Sequence, residues 1–267
     1  MAYTAQDVKK LREETDAPMM ECKAALDEAD GDFEKAKQVL REKGKASAGK
    51  KAGRATNAGA VAFVASECGC ELGVAVIESE TDFVSNNENF QAKVAELAAK
   101  ALAEGSLSED AKKEFAVDVV AMFRENCEVK LAEKITSDAP ISFYRHHDGT
   151  IGSYVISTGD NAGSEAIRQI AVHIAAIKPQ VVSKEDLSKE LLDKEYDTQY
   201  QRALNEGKPA NIAENIAKGR VNKEFIKEAV LLEQPFYKDA GMTVAQFLAQ
   251  EAKGTTVTAF KLVGVGQ

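Results

Sequence analysis

Two stretches of the chain, residues 59–102 and 141–177, carry the same succession of strand, turn, strand, loop and helix. That duplication constrains the fold more than any other feature. In the first copy, residues 59–66 and 72–78 are strand-like and flank Cys68, Gly69 and Cys70, which reads as a hairpin. In the second, residues 141–147 and 151–157 flank Asp148-Gly149, a strong hairpin turn. A loop and an apolar helical stripe follow each time. The stripes are Phe90, Val94, Leu97, Ala98, Ala101 and Leu102, then Ile167, Ile170, Ala171, Ile174 and Ile177, the second ended by Pro179. Residues 73–77 align with 152–156, and Val94, Ala98 and Ala101 with Ile170, Ile174 and Ile177. Ile77 to Val94 then spans 17 positions and Ile156 to Ile170 only 14, so the first copy has three extra residues in its loop. Extra length in one copy of a shared scaffold points to a functional loop.

That loop holds Glu80, Thr81, Asp82, Phe83 and Val84, then Ser85, Asn86 and Asn87. Ser and Asn favour a turn and a helix start, because their side chains bond nearby backbone N–H groups. Phe83 has two readings. It folds back as a plug on its own core, or it stands out as an aromatic anchor for a partner. The extra loop length favours the anchor. Asp82 is either a helix cap or a charge placed for a partner.

Around the repeat, residues 3–43 read as three short helices. Thr4 caps the first with Asp7 three residues on, and Tyr3 and Val8 close a hydrophobic staple. The second helix follows Asp16, with Met19, Cys22 and Leu26 on one face; Asp32 caps the third, and Gly44 is placed to stop it. Residues 44–57, rich in Lys, Ala, Gly and Ser, read as a mobile basic linker. The run from Gly44 to Lys51 nearly matches a phosphate-binding loop, but a helix precedes it and Lys51 stands where Ser or Thr would hold magnesium, so that reading is rejected. A further amphipathic helix covers residues 108–126 and a strand 128–135. Residues 187–205 and 211–228 form two weakly amphipathic helices about a Gly-Pro turn, either protruding as an antiparallel hairpin or lying flat. A helix at 244–252 and a strand at 256–263 close the chain. The expected fold is α+β: a three-helix unit at 1–43, a linker at 44–57, a core subdomain at 58–139, and a second at 140–267 carrying a helical hairpin at about 186–230.

Composition narrows the function classes. The chain is 44% hydrophobic and 29% charged, ordinary for a soluble protein. No run approaches the roughly 18 apolar residues of a membrane span, and residues 1–10 do not read as a secretory signal; a cytoplasmic location is expected. The net charge of −9 argues against broad nucleic-acid binding. Four cysteines are too few and too scattered for a disulfide framework, and Cys68 and Cys70 lack a second C-x-x-C pair to complete a zinc site. Of the three histidines, His173 falls on a helical apolar stripe, and His146 and His147 precede a turn with no nucleophile nearby. No enzyme, cofactor or metal is expected.

Specific motifs sharpen this. Leu11, Arg12 and Thr15, followed by Met19, Met20, Cys22, Lys23, Ala25 and Leu26, resemble the ubiquitin-associated-like N-terminal domain of bacterial elongation factor Ts. The run Glu80, Thr81, Asp82, Phe83, Val84 matches that family's signature loop. His173 to Ala176 with Lys178-Pro179, and Gln234-Pro235-Phe236, match its second half. The resemblance covers essentially the whole chain. It implies guanine nucleotide exchange on elongation factor Tu, with GDP and GTP held by that partner and not by this chain. Arg12, Met19 and Met20 are then implied to touch the partner's nucleotide domain. Asp82 is implied near the magnesium region, with Phe83 and Val84 in the inserting loop and Phe83 itself between two partner helices. His147 is implied to contact the partner's third domain. A non-catalytic adaptor working through the N-terminal helices is the alternative. Pro18 stands where the family usually has Gly, and Ser85-Asn86 replaces a small-basic pair.

Overall fold

The computed structural model describes residues 3–15 and 17–267. Asp16, expected to lead into the second helix, lies outside the described residues, as do residues 1 and 2 of the N-terminal unit. The chain runs α1 (Ala5–Thr15), α2 (Met19–Glu28), α3 (Phe33–Lys51), β1 (Ala58–Ala65), β2 (Glu71–Ser79), α4 (Asp82–Ser85), α5 (Glu88–Glu104), α6 (Glu109–Phe123) and β3 (Cys127–Thr136). It continues with β4 (Ser142–Arg145), β5 (Ile151–Thr158), α7 (Glu165–Ile177), α8 (Lys189–Asn205), α9 (Ala210–Arg220), α10 (Ile226–Ala229), β6 (Pro235–Phe236), β7 (Asp239–Thr243), α11 (Val244–Glu251) and β8 (Thr256–Gly264). Helices and antiparallel sheets make this an α+β chain.

Local chemistry sets the N-terminal helices. Thr4 N donates to Asp7 Oδ2 at 2.7 Å and Asp7 N returns to Thr4 Oγ1 at 3.3 Å, a reciprocal cap for α1. Asp32 caps α3 by accepting from Glu34 N and Lys35 N, both at 3.1 Å. Val8, Leu11, Cys22, Ala25, Leu26, Ala36 and Leu40 form a small core, with Tyr3 packed against it. Gly44 does not stop α3. The helix continues to Lys51, so the first half of the expected mobile linker is helical. The reason is tertiary: Gly44 is buried against α6, where a Cβ would stand 3.1 Å from Ala121 Cβ. A glycine inside a helix costs about 1 kcal/mol relative to alanine, and the close approach of two helices offsets it.

The duplicated unit forms two three-stranded antiparallel sheets, β1-β2-β3 and β4-β5-β8. On β2, Ala75 and Ile77 face α5, while Leu72, Val74 and Val76 meet Ile141, Tyr154 and Val263 of the other half. On β5, Val155 packs beneath α7 and Ser153 Oγ donates to Ala171 O at 2.6 Å. The order of layers is helix, sheet, sheet, helix.

The repeat is present, but its register differs from the sequence alignment by one residue. Both middle strands carry an irregularity, between Val76 and Ile77 in one and between Ile156 and Ser157 in the other. Ile77 is therefore equivalent to Ser157, not Ile156. The buried helix positions Val94, Leu97, Ala98 and Ala101 then correspond to Ile167, Ile170, Ala171 and Ile174. Ile177, expected on the apolar face, is 45% exposed. A slip of one residue exchanges the two faces of a strand, and together with a three-residue shift of the helix, which pairs Val94 with Ile167 and not Ile170, it hid the size of the insertion. Ile77 to Val94 spans 17 positions and Ser157 to Ile167 spans 10, so the first loop is longer by seven residues rather than three.

In the second half, α8 packs on α9, with Ala203, Ala213 and Ala217 buried along the seam. A π-helical turn (Val221–Phe225) joins α9 to α10, and Leu187, Leu191, Leu192, Phe225, Ile226, Ala229 and Val230 anchor the base of this hairpin. His173 is fully buried on α7. Its Nδ1 accepts from Tyr237 N at 3.2 Å, so Nε2 carries the proton and donates to Gln234 Oε1 at 2.7 Å. The neutral ring satisfies both contacts, and a second proton would set N–H against N–H. Burial accordingly holds its pKa below the ordinary histidine value, with the Gln234 contact a smaller opposing influence.

Two predictions follow from this packing. Gly44→Leu overfills the α3–α6 contact and destabilises the intact protein by about 1–3 kcal/mol, read from urea unfolding. For His173, the unfolded chain binds a proton below about pH 6.5 that the native state refuses. Its contribution to stability is therefore full above that pH and is lost as pH falls towards the depressed native pKa. His173→Gln has a flatter fall in unfolding free energy between about pH 7 and pH 5 than the parent protein.

Candidate functional site

The inserted loop is not irregular: residues 82–85 form the single helical turn α4. Asn86 N donates to Asp82 O at 2.9 Å and Asn87 N to Val84 O at 3.0 Å, after which Asn87 caps α5 by accepting from Asn89 N at 2.9 Å. Within this turn adjacent residues take opposite environments. Val84 packs against the core that holds Phe90 and Val94, whereas Phe83 is 87% exposed. Burying a Phe side chain is worth about 1.5–3 kcal/mol, and this ring forgoes it. Of the two readings of Phe83, the core plug is excluded. Asp82 is exposed beside it.

Two of the three residues that follow α6 hold the turn in place, and the third reaches the N-terminal helices. Glu125 accepts from Thr81 N at 3.0 Å and from Thr81 Oγ1 at 2.6 Å. Asn126 N donates to Glu80 Oε1 at 2.6 Å, and that hydrogen bond, reinforced by Arg54 at 3.3 Å, holds the Glu80 carboxyl below its ordinary pKa. Arg124, in the left-handed conformation that ends α6, forms an ion pair with Glu21 of α2. The same short connection thus grips the loop on one side and the N-terminal helices on the other. The amphipathic pattern was read as helix to about residue 126. In fact α6 stops at Phe123, which frees these three side chains. The only sequence signal was a polar run, Arg124-Glu125-Asn126, just ahead of a strand.

A second polar relay reaches the other hairpin. Gln91 Nε2 donates to Ser85 O, and Arg145 donates to Gln91 Oε1 and, through Nε, to Val61 O at 2.6 Å. Arg145 immediately precedes the turn bearing His146 and His147. His147 is exposed in that turn rather than in the strand where it was expected, with its ring centroid 4.2 Å from that of His146. Asp148 accepts from Thr150 N and Thr150 Oγ1, each at 2.9 Å, and shapes the turn.

In the N-terminal unit, Met19 is 42% and Met20 73% exposed. Both line a groove of about 480 Å³ with Tyr3, Val8 and Lys23. Pro18 occupies the N-cap of α2 and offers no side-chain cap. Arg12 is exposed on α1, near enough to α2 for its charge to oppose the burial that raises the Cys22 thiol pKa. Arg12, Met19 and Met20 thus belong to one unit, and Asp82, Phe83, Val84 and His147 to the region joined by the Gln91 relay. Among the described residues, no cluster of three or more His, Cys, Asp or Glu side chains is placed to hold a metal, and no helix is long and apolar enough to cross a membrane.

Glu125→Ala leaves the Thr81 amide and hydroxyl without their anionic acceptor. A hydrogen bond to a charged group contributes about 1.5–3 kcal/mol. The Thr81 amide should therefore exchange with solvent deuterium at least about tenfold faster in this variant, while the sheet amides keep their protection.

The exposed aromatic, the methionine groove and the polar braces are surface features of the kind found at contacts between proteins. The elongation factor TS family profile matches residues 80–267. The chain is 41% identical over 262 residues to elongation factor Ts of Nitratidesulfovibrio vulgaris (strain DP4), covering 95% of this chain and 91% of that protein. It is 38% identical over 276 residues to elongation factor Ts of Clostridioides difficile (strain 630), covering 97% and 91%. It is also 36% identical over 278 residues to that of Hydrogenovibrio crunogenus, covering 100% and 92%. The chain belongs to the elongation factor Ts family, and its role lies in translation elongation.

Proposed function

We propose that this chain is a cytoplasmic guanine nucleotide exchange factor for elongation factor Tu, and that Phe83 is its wedge. The observation that carries the reading is an aromatic ring 87% exposed on a turn that hydrogen bonds hold in place. The mechanism is linkage. Magnesium and diphosphate stabilise one arrangement of the partner's nucleotide pocket. Phe83, entering between two packed helices, shifts the partner towards another arrangement to the extent that it binds that state better. Asp82 brings negative charge towards the magnesium region and disfavours its usual coordination. By reciprocity, whatever weakens nucleotide binding is matched by an equal weakening of the exchange factor's binding by nucleotide. No bond is made or broken on this chain, so it needs neither a nucleophile nor a cofactor.

Arg12, Met19 and Met20 supply the second contact, on the partner's nucleotide domain, with the groove beside Met19 and Met20 receiving an apolar side chain. Val84 serves by holding the turn to the core, and His147 contacts the partner's third domain. The test is release of labelled GDP from elongation factor Tu. Phe83→Ala should lose about 2 kcal/mol of interaction, a roughly thirtyfold loss, with an unchanged melting curve because the ring contributes little to its own fold. If Phe83→Ala releases GDP as fast as the parent protein while Met20→Ala abolishes binding, the adaptor reading takes its place.

A further inference from the structure

The hairpin between β1 and β2 carries two thiols that the proposed exchange activity does not use. Cys68 is exposed and Cys70 half-buried, and both are free. The tip is a tight turn, with Gly69 N donating to Ser66 O at 2.9 Å and Gly69 at φ +72°. Around Cys68 the turn gathers polar groups: Cys70 N donates to its sulfur at 3.3 Å, and Ser66 Oγ, which also lies 3.3 Å from Glu71 O, is 3.4 Å away. Cys70 Sγ lies over the carbonyl of Cys68 at 3.6 Å. Hydrogen bonds to a sulfur favour its anion, the nucleophilic form. The Ser66 hydroxyl first, then the Cys70 amide, hold the Cys68 thiol below its ordinary pKa. The Cys70 thiol is raised, chiefly by its own hydrogen bond to Cys68. One thiol is thus activated and the other is held protonated beside it.

Position matters as much as activation. Two residues apart, the Cα atoms are joined by two steps of about 3.8 Å, which keeps them close to the roughly 4.4–6.8 Å that a disulfide spans. The tip is also anchored: Ile141 N donates to Gly69 O at 2.8 Å and Ser137 N to Cys70 O at 2.9 Å. A ring closed here forms against the strap that joins the two sheets. A metal reading lacks further ligands, since no cluster of three or more such side chains occurs among the described residues.

We propose that Cys68 and Cys70 form a thiol–disulfide exchange site that closes to an internal disulfide on reaction with a small-molecule disulfide. The Cys68 thiolate attacks one sulfur of R–S–S–R. A Cys68–S–S–R bond forms, the original S–S bond breaks, and R–S⁻ leaves and takes a proton. Cys70 then gives up its proton to solvent and attacks the Cys68 sulfur. The Cys68–Cys70 bond forms, and the second R–S⁻ leaves and is protonated. Two thiols are oxidised by two electrons, and one disulfide is reduced to two thiols.

The test treats the reduced full-length protein with glutathione disulfide, quenches with acid and maps the cysteines by mass spectrometry. The parent protein should end with Cys68 and Cys70 joined and no glutathione retained. Cys70→Ser should stop at one glutathione on Cys68, and Cys68→Ser should leave Cys70 unreacted on the same timescale. The rate of adduct formation in Cys70→Ser should rise with a midpoint below the roughly 8.5 of an ordinary thiol, and adding Ser66→Ala should move that midpoint up. A stable glutathione adduct on the parent protein, or a midpoint at or above that of free cysteine, overturns the proposal. Thermal melting of each variant establishes that it is folded. GDP release is not the readout, so the outcome stands apart from the exchange-factor reading.

Discussion

Strand β2 is buried on both faces, and the rest of the structure follows from that. Every residue from Leu72 to Ser79 is withdrawn from solvent, so one face requires α5 and the other requires the second sheet. The contacts are close enough to exclude side chains. A Cβ on Gly73 would stand 2.0 Å from Ala98 O, and one on Gly152 would stand 2.4 Å from the Phe63 ring. Each apolar side chain buried in this way contributes about 1.5–3 kcal/mol, and neither half of the duplicated unit covers β2 alone. The two sheets therefore fold against one another as a pair, and loops leaving their ends start from a rigid base.

The inserted turn draws on that rigidity in an unusual way. A loop is most simply fixed by burying its largest apolar side chain, but that would remove Phe83 from the surface. The small Val84 takes the buried place, and most of the restraint comes from polar groups: Glu125 on Thr81, Asn126 on Glu80, and Gln91 on Ser85. The first two are charge-assisted, and all three are directional. They fix the backbone that carries the ring without covering it. A turn whose backbone is already held loses less freedom when it meets a partner, which is what the proposed wedge requires.

What was legible in the sequence was chemistry acting over a few residues. The caps at Thr4 and Asp32, the two hairpins and, apart from Ile177, the two apolar helix stripes of the repeat lie close to where local patterning put them. The exposure of Phe83 was legible because a longer loop had no place in a symmetric repeat. What escaped depended on neighbours distant in sequence. Gly44 reads as a helix stop unless Ala121 is known to lie beside it. The strand register slipped because Gly73 and Gly152 are both glycine for opposite reasons, one facing a helix and the other a sheet. Arg124 to Asn126 read as the tail of a helix, since nothing local reveals that other segments need their side chains.

The continuity of α3 bears most directly on the proposed mechanism. Were residues 44–57 a mobile tether, the N-terminal groove and Phe83 would meet a partner as two linked binders, with an effective concentration set by tether length. The ion pairs across this junction, Arg41 with Glu114 and Arg124 with Glu21, are largely exposed, and pairs of that kind contribute about 0–1 kcal/mol each. They set orientation more than they supply strength. The close packing of α3 on α6 around Gly44 does the holding, with Ala48 adding a contact to the β1–β2–β3 core. Groove and wedge are thus fixed on one body. In the proposed reading, a partner held at Met19 and Met20 meets Phe83 in a set geometry. In the proposed mechanism, binding free energy gained at the groove can then offset the opening of the nucleotide pocket instead of the ordering of a linker.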